Sequence, residues 1–129
     1  MAKLFFHILN ILFFIVYLYP GSLLGLLLYG NVSKQPQLTK DFIFSFSEIS
    51  SNHIYAFIFL SLLGFFCYFK KKRNLIIFYL FSISIFLELL HIIIPERSFQ
   101  ISDLYGNIIG VFISLLITYI IYYAKKIFF

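Results

Sequence analysis

The sequence predicts an all-α protein, a four-span transmembrane helical bundle, and three observations carry that prediction. Of its 129 residues, 62% are hydrophobic and 12% charged, against roughly 45–50% and about 25% in an ordinary soluble domain. The apolar residues fall into four runs, each near the ~20 residues a helix needs to cross the hydrocarbon. The charged residues, Glu88 aside, stand at the margins of these runs. A chain of this length forms one membrane domain, residues 1–129, and leaves no room for a separate soluble catalytic module. Any activity must therefore come from the spans and their short connections.

The first run covers residues 4–28. Met1, Ala2 and Lys3 make a short positive start, as in a secretory signal, but the apolar part is well beyond the ~7–15 residues of a signal core, so an uncleaved span is expected. Pro20 and Gly21 lie inside it and should kink or divide the helix, because proline removes a backbone donor and clashes with the preceding turn. Residues 29–50 follow as the longest polar connection. Its first half, with Asn31, Ser33, Lys34, Gln35, Pro36 and Gln37, reads as a solvated loop; its aromatic half, Phe42, Ile43, Phe44, Ser45 and Phe46, reads as an interfacial segment. The remaining spans are expected over residues 51–69, 75–94 and 104–123. Cys67 has no second cysteine to pair with, and there is no internal repeat, Gly-rich phosphate loop or GxSxG elbow.

Orientation follows from the basic residues. With the N-terminus in the cytoplasm, the inside carries Lys3, Lys70, Lys71, Lys72, Arg73, Lys125 and Lys126, and the outside only Lys34, Lys40 and Arg97. The positive-inside bias therefore places both termini in the cytoplasm. Lys70 to Arg73 are then a topological anchor, too few and too tightly turned for a nucleic-acid surface, and the net charge of +5 implies no DNA or RNA partner. The only partner that composition requires is the lipid bilayer.

Polar chemistry gathers at the end of the third run and the start of the fourth. At 1.5 Å per residue Glu88 lies roughly 9 Å, and His91 about 4.5 Å, below residue 94, and their three-residue spacing puts both on one face. Asp103, Asn107 and Gly110 recur at i, i+4 and i+7 and make a second polar face at the same depth. His53, near the outer start of the second span, is the natural third contributor. An ionisable group inside a span is expensive, so a functional site is the default hypothesis for Glu88. His53, Glu88, His91, Arg97, Asp103 and Asn107 are expected to converge into one outward-facing polar pocket, with Arg97 paired to Glu88 or Asp103. His7 and Asn10, near the inner end of the first span, look unrelated to it.

Each residue also has a plainer explanation. Glu88 as a neutral acid could fix helix packing, Asp103 after Ser102 could start a helix, and Arg97 could snorkel to the headgroups. One face holding two carboxylates, two imidazoles, a guanidinium and an amide is difficult to ascribe to packing alone. His53, Glu88, His91 and Asp103 could supply four ligands, but carboxylate-bridged di-iron sites need further carboxylates that this chain lacks, so neither metal nor cofactor is expected. Ser98 and Ser102 have no evident activating base, which leaves Glu88 as the candidate for general acid/base work if there is turnover.

Glu88-x-x-His91, Pro95-x-Arg97-Ser-Phe and Asp103-x-x-x-Asn107-x-x-Gly110 together resemble the signature of the VanZ-like family of small bacterial membrane proteins. His53 matches a histidine the family places at the head of an earlier span, and Gly64 a glycine partway down it; the resemblance covers about residues 50–116. It departs at His91, where the family commonly has glutamine, and at Ile49 and Ser50, where it has an Asp-Lys pair; Glu48 is the nearest stand-in. The resemblance implies a multi-pass protein of the bacterial cytoplasmic (inner) membrane and an association with low-level resistance to the glycopeptide teicoplanin. The resulting expectation is a pocket that binds an anionic envelope component, lipid-linked or a glycopeptide. The alternatives are a membrane-embedded enzyme acting on a lipid-linked substrate and a structural or assembly protein.

Overall fold

The computed structural model describes residues 1–44 and 47–128. In chain order its elements are α1 (Ala2–Leu18), α2 (Leu23–Tyr29), β1 (Phe42–Phe44), β2 (Ser47–Ile49), α3 (Ser51–Leu90) and α4 (Ile101–Phe128).

Helix α1 rises about 26 Å and turns Phe6, Asn10 and Tyr17 inward. It stops because Tyr19, the residue before Pro20, is extended (φ −63°, ψ 133°), as the proline ring demands. Gly21 then takes φ +74°, a left-handed conformation that glycine adopts without a Cβ penalty. The two changes swing α2 away from α1 by 83°. The run expected over residues 4–28 is therefore two helices. Ser22 caps α2 by accepting the Gly25 N–H at 2.9 Å, and left-handed Gly30 closes it.

Helix α3 runs for 40 residues, but Lys72 (φ −139°, ψ 44°) breaks it. A straight helix would hold residues 64 and 80 about 24 Å apart, whereas a Cβ on Gly64 would lie only 3.3 Å from Ile76 Cδ1 and 3.4 Å from Leu80 Cδ1. Residues 51–71 and 73–90 are thus two arms of a helical hairpin. The spans expected at 51–69 and 75–94 meet at one non-helical residue, and the basic residues around it remain helical. The second arm ends at Leu90 rather than at residue 94, with Pro95 forbidding its continuation a turn later.

Helix α4 lies against the first arm, starting earlier and ending later than the expected 104–123. Cβ atoms on Gly106 and Gly110 would come within 2.6 Å of the Ser50 and Ile54 carbonyl oxygens, so backbone meets backbone. Ser114, one turn on, shares its hydroxyl hydrogen between the Ile58 carbonyl at 3.1 Å and the Gly110 carbonyl of its own helix at 2.9 Å. Gly106, Gly110 and Ser114 form a small-residue seam of the kind that draws membrane helices together.

The fold is not purely helical. β1 and β2 pair antiparallel, Phe42 opposite Ile49 and Ile43 opposite Glu48. Aromatic and β-branched residues favour a strand, and the ladder satisfies backbone groups that a lone segment on apolar surface would leave unpaired. Ser45 and Phe46, expected in the interfacial segment, lie outside the described residues. The hairpin anchors the start of α3: Ser51 donates its N–H to Asp41 Oδ1 at 2.8 Å, and Ser50 its N–H to the Ser102 carbonyl at 3.2 Å.

Phe57, Leu60, Phe65, Leu80, Leu87 and Val111 fill the centre of the bundle. Phe66 and Phe78 stand 80% and 75% exposed on its outside, an apolar surface that suits lipid and not water. α3 and α4 are each long and apolar enough to cross a membrane, and α1 with α2 makes a third if the bent pair counts as one span.

Candidate functional site

Tyr17, in the last turn of α1, is the centre of the polar cluster. Its hydroxyl donates to Glu88 Oε2 at 2.9 Å, accepts from Asn107 Nδ2 at 2.6 Å and lies 2.9 Å from His53 Nδ1. One phenol thus ties α1 to both arms of α3 and to α4. Glu88 is fully buried, and its other oxygen accepts the Gln100 backbone N–H at 3.0 Å. Asn107 spends its second amide hydrogen on the Ser84 carbonyl at 3.1 Å.

The two histidines are partnered at every ring nitrogen. His91 stacks on the Tyr17 ring, centroids 4.9 Å apart, with Nε2 3.0 Å from the Tyr17 carbonyl and Nδ1 3.3 Å from Glu88 Oε2. His53 has Nδ1 2.9 Å from Asn107 Oδ1 and Nε2 3.4 Å from Asp103 Oδ2. A carbonyl oxygen only accepts, so His91 carries a proton on Nε2 and His53 one on Nδ1. The remaining nitrogen of each ring faces a carboxylate oxygen at ion-pair distance.

Arg97 departs from its expected pairing. Among the described residues the ion pairs of Glu88 and Asp103 are with His91 and His53, while Arg97 donates Nε–H to the Tyr19 carbonyl at 3.1 Å. Glu88 is already saturated by Tyr17, Gln100 and His91, whereas the carbonyls at the end of α1 lack helical partners and attract a cation. Glu96, beside it, holds φ +60°, a left-handed conformation unusual for a residue with a Cβ. Burial lowers the pKa of the Arg97 guanidinium, opposed by its acidic neighbours Tyr17, Asp103 and Glu88, and arginine stays charged at any physiological pH.

Beside this network lies a cavity of about 470 Å³ whose lining includes Tyr17, His53, His91 and Arg97. Of the six residues singled out in the sequence, Glu88, Asp103 and Asn107 are outside that lining; they stand behind the histidines and the tyrosine and hold them. His53, Glu88 and Asp103 also offer ligand atoms all within 4.8 Å of one another. That trio is geometrically able to share a divalent cation, closer together than the sequence spacing indicated.

Tyr17 was not legible as a site residue, because ten tyrosines are scattered through the chain. Its signal was the spacing Asn10, Phe13, Tyr17, at i, i+3 and i+7, which marks one helix face. Gly106 was also missed, although Gly106 and Gly110 stand four residues apart. His7 and Asn10 sit about two to three turns from Tyr17 towards the start of α1, where His7 Nε2 is 2.7 Å from the Tyr68 hydroxyl and Asn10 donates to the Tyr79 hydroxyl.

The sequence profile of the VanZ/LLP1 family matches residues 2–122 of the chain. The protein belongs to the VanZ/LLP1 family. The VanZ/LLP1 match takes in α1 and therefore Tyr17, which lay outside the stretch whose motifs carried the resemblance. No curated protein and no solved structure matches the chain.

Proposed function

We propose that this VanZ/LLP1 protein binds an oxyanion at the outer leaflet of the bacterial cytoplasmic membrane, in the cavity beside Arg97. Four spans carry it, α1, the two arms of α3 and α4, with both termini cytoplasmic by the distribution of lysine and arginine. The observation that carries the reading is Arg97: a half-buried guanidinium on a cavity wall with no carboxylate partner among the described residues. A fork of unpaired N–H donors in such a place recognises phosphate or carboxylate bidentately. His53 and His91 sit beside it, locked in orientation by Asp103 and Glu88. The ligand is an anionic envelope component, a lipid-linked intermediate or a glycopeptide, and altered glycopeptide susceptibility is the expected consequence.

Binding is favoured over turnover because a guanidinium lines the cavity while no activated nucleophile is evident among the described residues. The test is to express Arg97→Lys, Glu88→Gln and Asp103→Asn in a sensitive bacterium at equal membrane abundance, and to measure teicoplanin susceptibility beside lipid co-purification by mass spectrometry. Arg97→Lys keeps the charge and loses the fork, so loss of both readouts supports the anion site. Unchanged readouts in all three variants leave only a packing role.

The closeness of His53, Glu88 and Asp103 favours a second reading, a lipid-acting enzyme with Glu88 in acid/base work. A Glu88-dependent change in the mass of a co-purified lipid, enhanced by a divalent cation, would select it.

A further inference from the structure

We infer that the Arg97 site takes the head of a single-chain amphiphile, and that the rest of the cavity seats its hydrocarbon chain. This deepens the oxyanion reading and rests on it. Most of the cavity's surface is carbon, although Ser22, Gln35 and Asn52 also line it: Phe13 and Val16 of α1, Leu24 and Leu28 of α2, and Ala56 and Phe59 of the first arm of α3. The slot exists because of the bend at Pro20 and Gly21. Turned through 83°, α2 walls a groove between α1 and α3 instead of continuing along the axis of α1.

Charge identifies the occupant. A purely apolar ligand would leave the Arg97 fork without a counterpart. A free inorganic anion would satisfy Arg97 and leave a wall of phenylalanine, leucine and valine facing nothing. A molecule with a small oxyanion head and one flexible chain meets both ends. From His53 to Phe59 the wall is roughly 9 Å long, so the slot holds the first part of a chain and the remainder extends past α2 into the surrounding lipid. Pockets of this volume and polarity pattern are typical of small-molecule sites.

The test uses the full chain in amphipol, free of detergent micelles, titrated with inorganic phosphate and with butyl, hexyl and octyl phosphate. Affinity should rise by up to about fourfold for each methylene added until the slot is full, and then level off. Ala56→Leu and Leu24→Trp narrow the slot and should flatten this chain-length dependence while leaving inorganic phosphate binding unchanged. Arg97→Ala should weaken every ligand in the series. A diazirine at the chain terminus of octyl phosphate supplies a readout without substitutions, labelling the Phe13–Val16 and Ala56–Phe59 stretches. Arg97-dependent phosphate binding with no chain-length dependence, or labelling confined to the second arm of α3, overturns the amphiphile site and leaves the oxyanion site standing. Absence of any Arg97-dependent phosphate binding overturns both.

Discussion

At one end of the bundle a single tyrosine hydroxyl gathers Glu88, His53 and Asn107 from three other helical segments, while about two to three turns back along α1 Asn10 and His7 each meet one tyrosine and go no further. The first cluster is fully partnered. In the second, Asn10 Oδ1 is buried without a hydrogen bond, as is Ser61 Oγ on the first arm of α3. Charge divides the same way: Asp41, Glu48, Glu88, Glu96 and Asp103 are all at the Tyr17 end, and the cluster of Lys70 to Arg73 is at the other. Packing alone needs nothing more than the Asn10 arrangement, a neutral pair bond that fixes two helices. The Tyr17 arrangement exceeds that need, and this excess supports the proposed site.

Substitutions can break this contrast. Glu88→Ala should cost the most, about 3–5 kcal/mol, because it strands His91, Tyr17 and the Gln100 N–H together. Its counterpart Asn10→Ala should cost only about 1 kcal/mol, since it removes an unpaired oxygen along with one bond. Unfolding in mixed micelles compares the two, and equal losses would erase the distinction between the two clusters. Next comes the helix seam: Gly110→Ala should cost about 1–3 kcal/mol, because the new methyl meets the Ile54 carbonyl. Gly64→Ala should cost less in the same unfolding measurement, since its neighbours are the ends of the Phe6, Ile76 and Leu80 side chains, which can yield.

Tyr17→Phe sharpens the comparison further. It keeps the stacking on His91 and removes the hydroxyl, for a loss of about 1–3 kcal/mol. The imidazole resonances of both His53 and His91 should shift in NMR spectra, whereas Tyr79→Phe should disturb neither. Glutamine at Lys70, Lys71 and Lys72 should have the smallest effect, within about 0.5 kcal/mol, as exposed substitutions away from packing do. The same variant should nonetheless shift the reporter signal of fusions at the C-terminus, where the positive-inside bias acts.

Much of this was legible from spacing alone. Glu88 and His91 three apart, and Asp103 and Asn107 four apart, could share faces only as helices, and their depth beside His53 made convergence the economical arrangement. The Arg97 partner was not legible. The carbonyl it contacts belongs to Tyr19, and that carbonyl faces the bundle only because Pro20 ends α1 there. The strand pair was missed for a related reason: Phe42 to Phe44 read equally well as interfacial aromatics, and the pairing depends on Ser47 to Ile49, whose sequence carries no alternation.

The shared Tyr17 hydroxyl also sets the order in which the protein becomes complete. Ribosomes deliver the N-terminus first, so Tyr17 is made before any of its partners. His53 arrives, then Glu88, a carboxyl group costly to strand in hydrocarbon, and only the closing segment brings the Gln100 amide, Asp103 and Asn107. A chain that stops before α4 leaves Tyr17 and Glu88 without the Asn107 and Gln100 donors that complete the cluster.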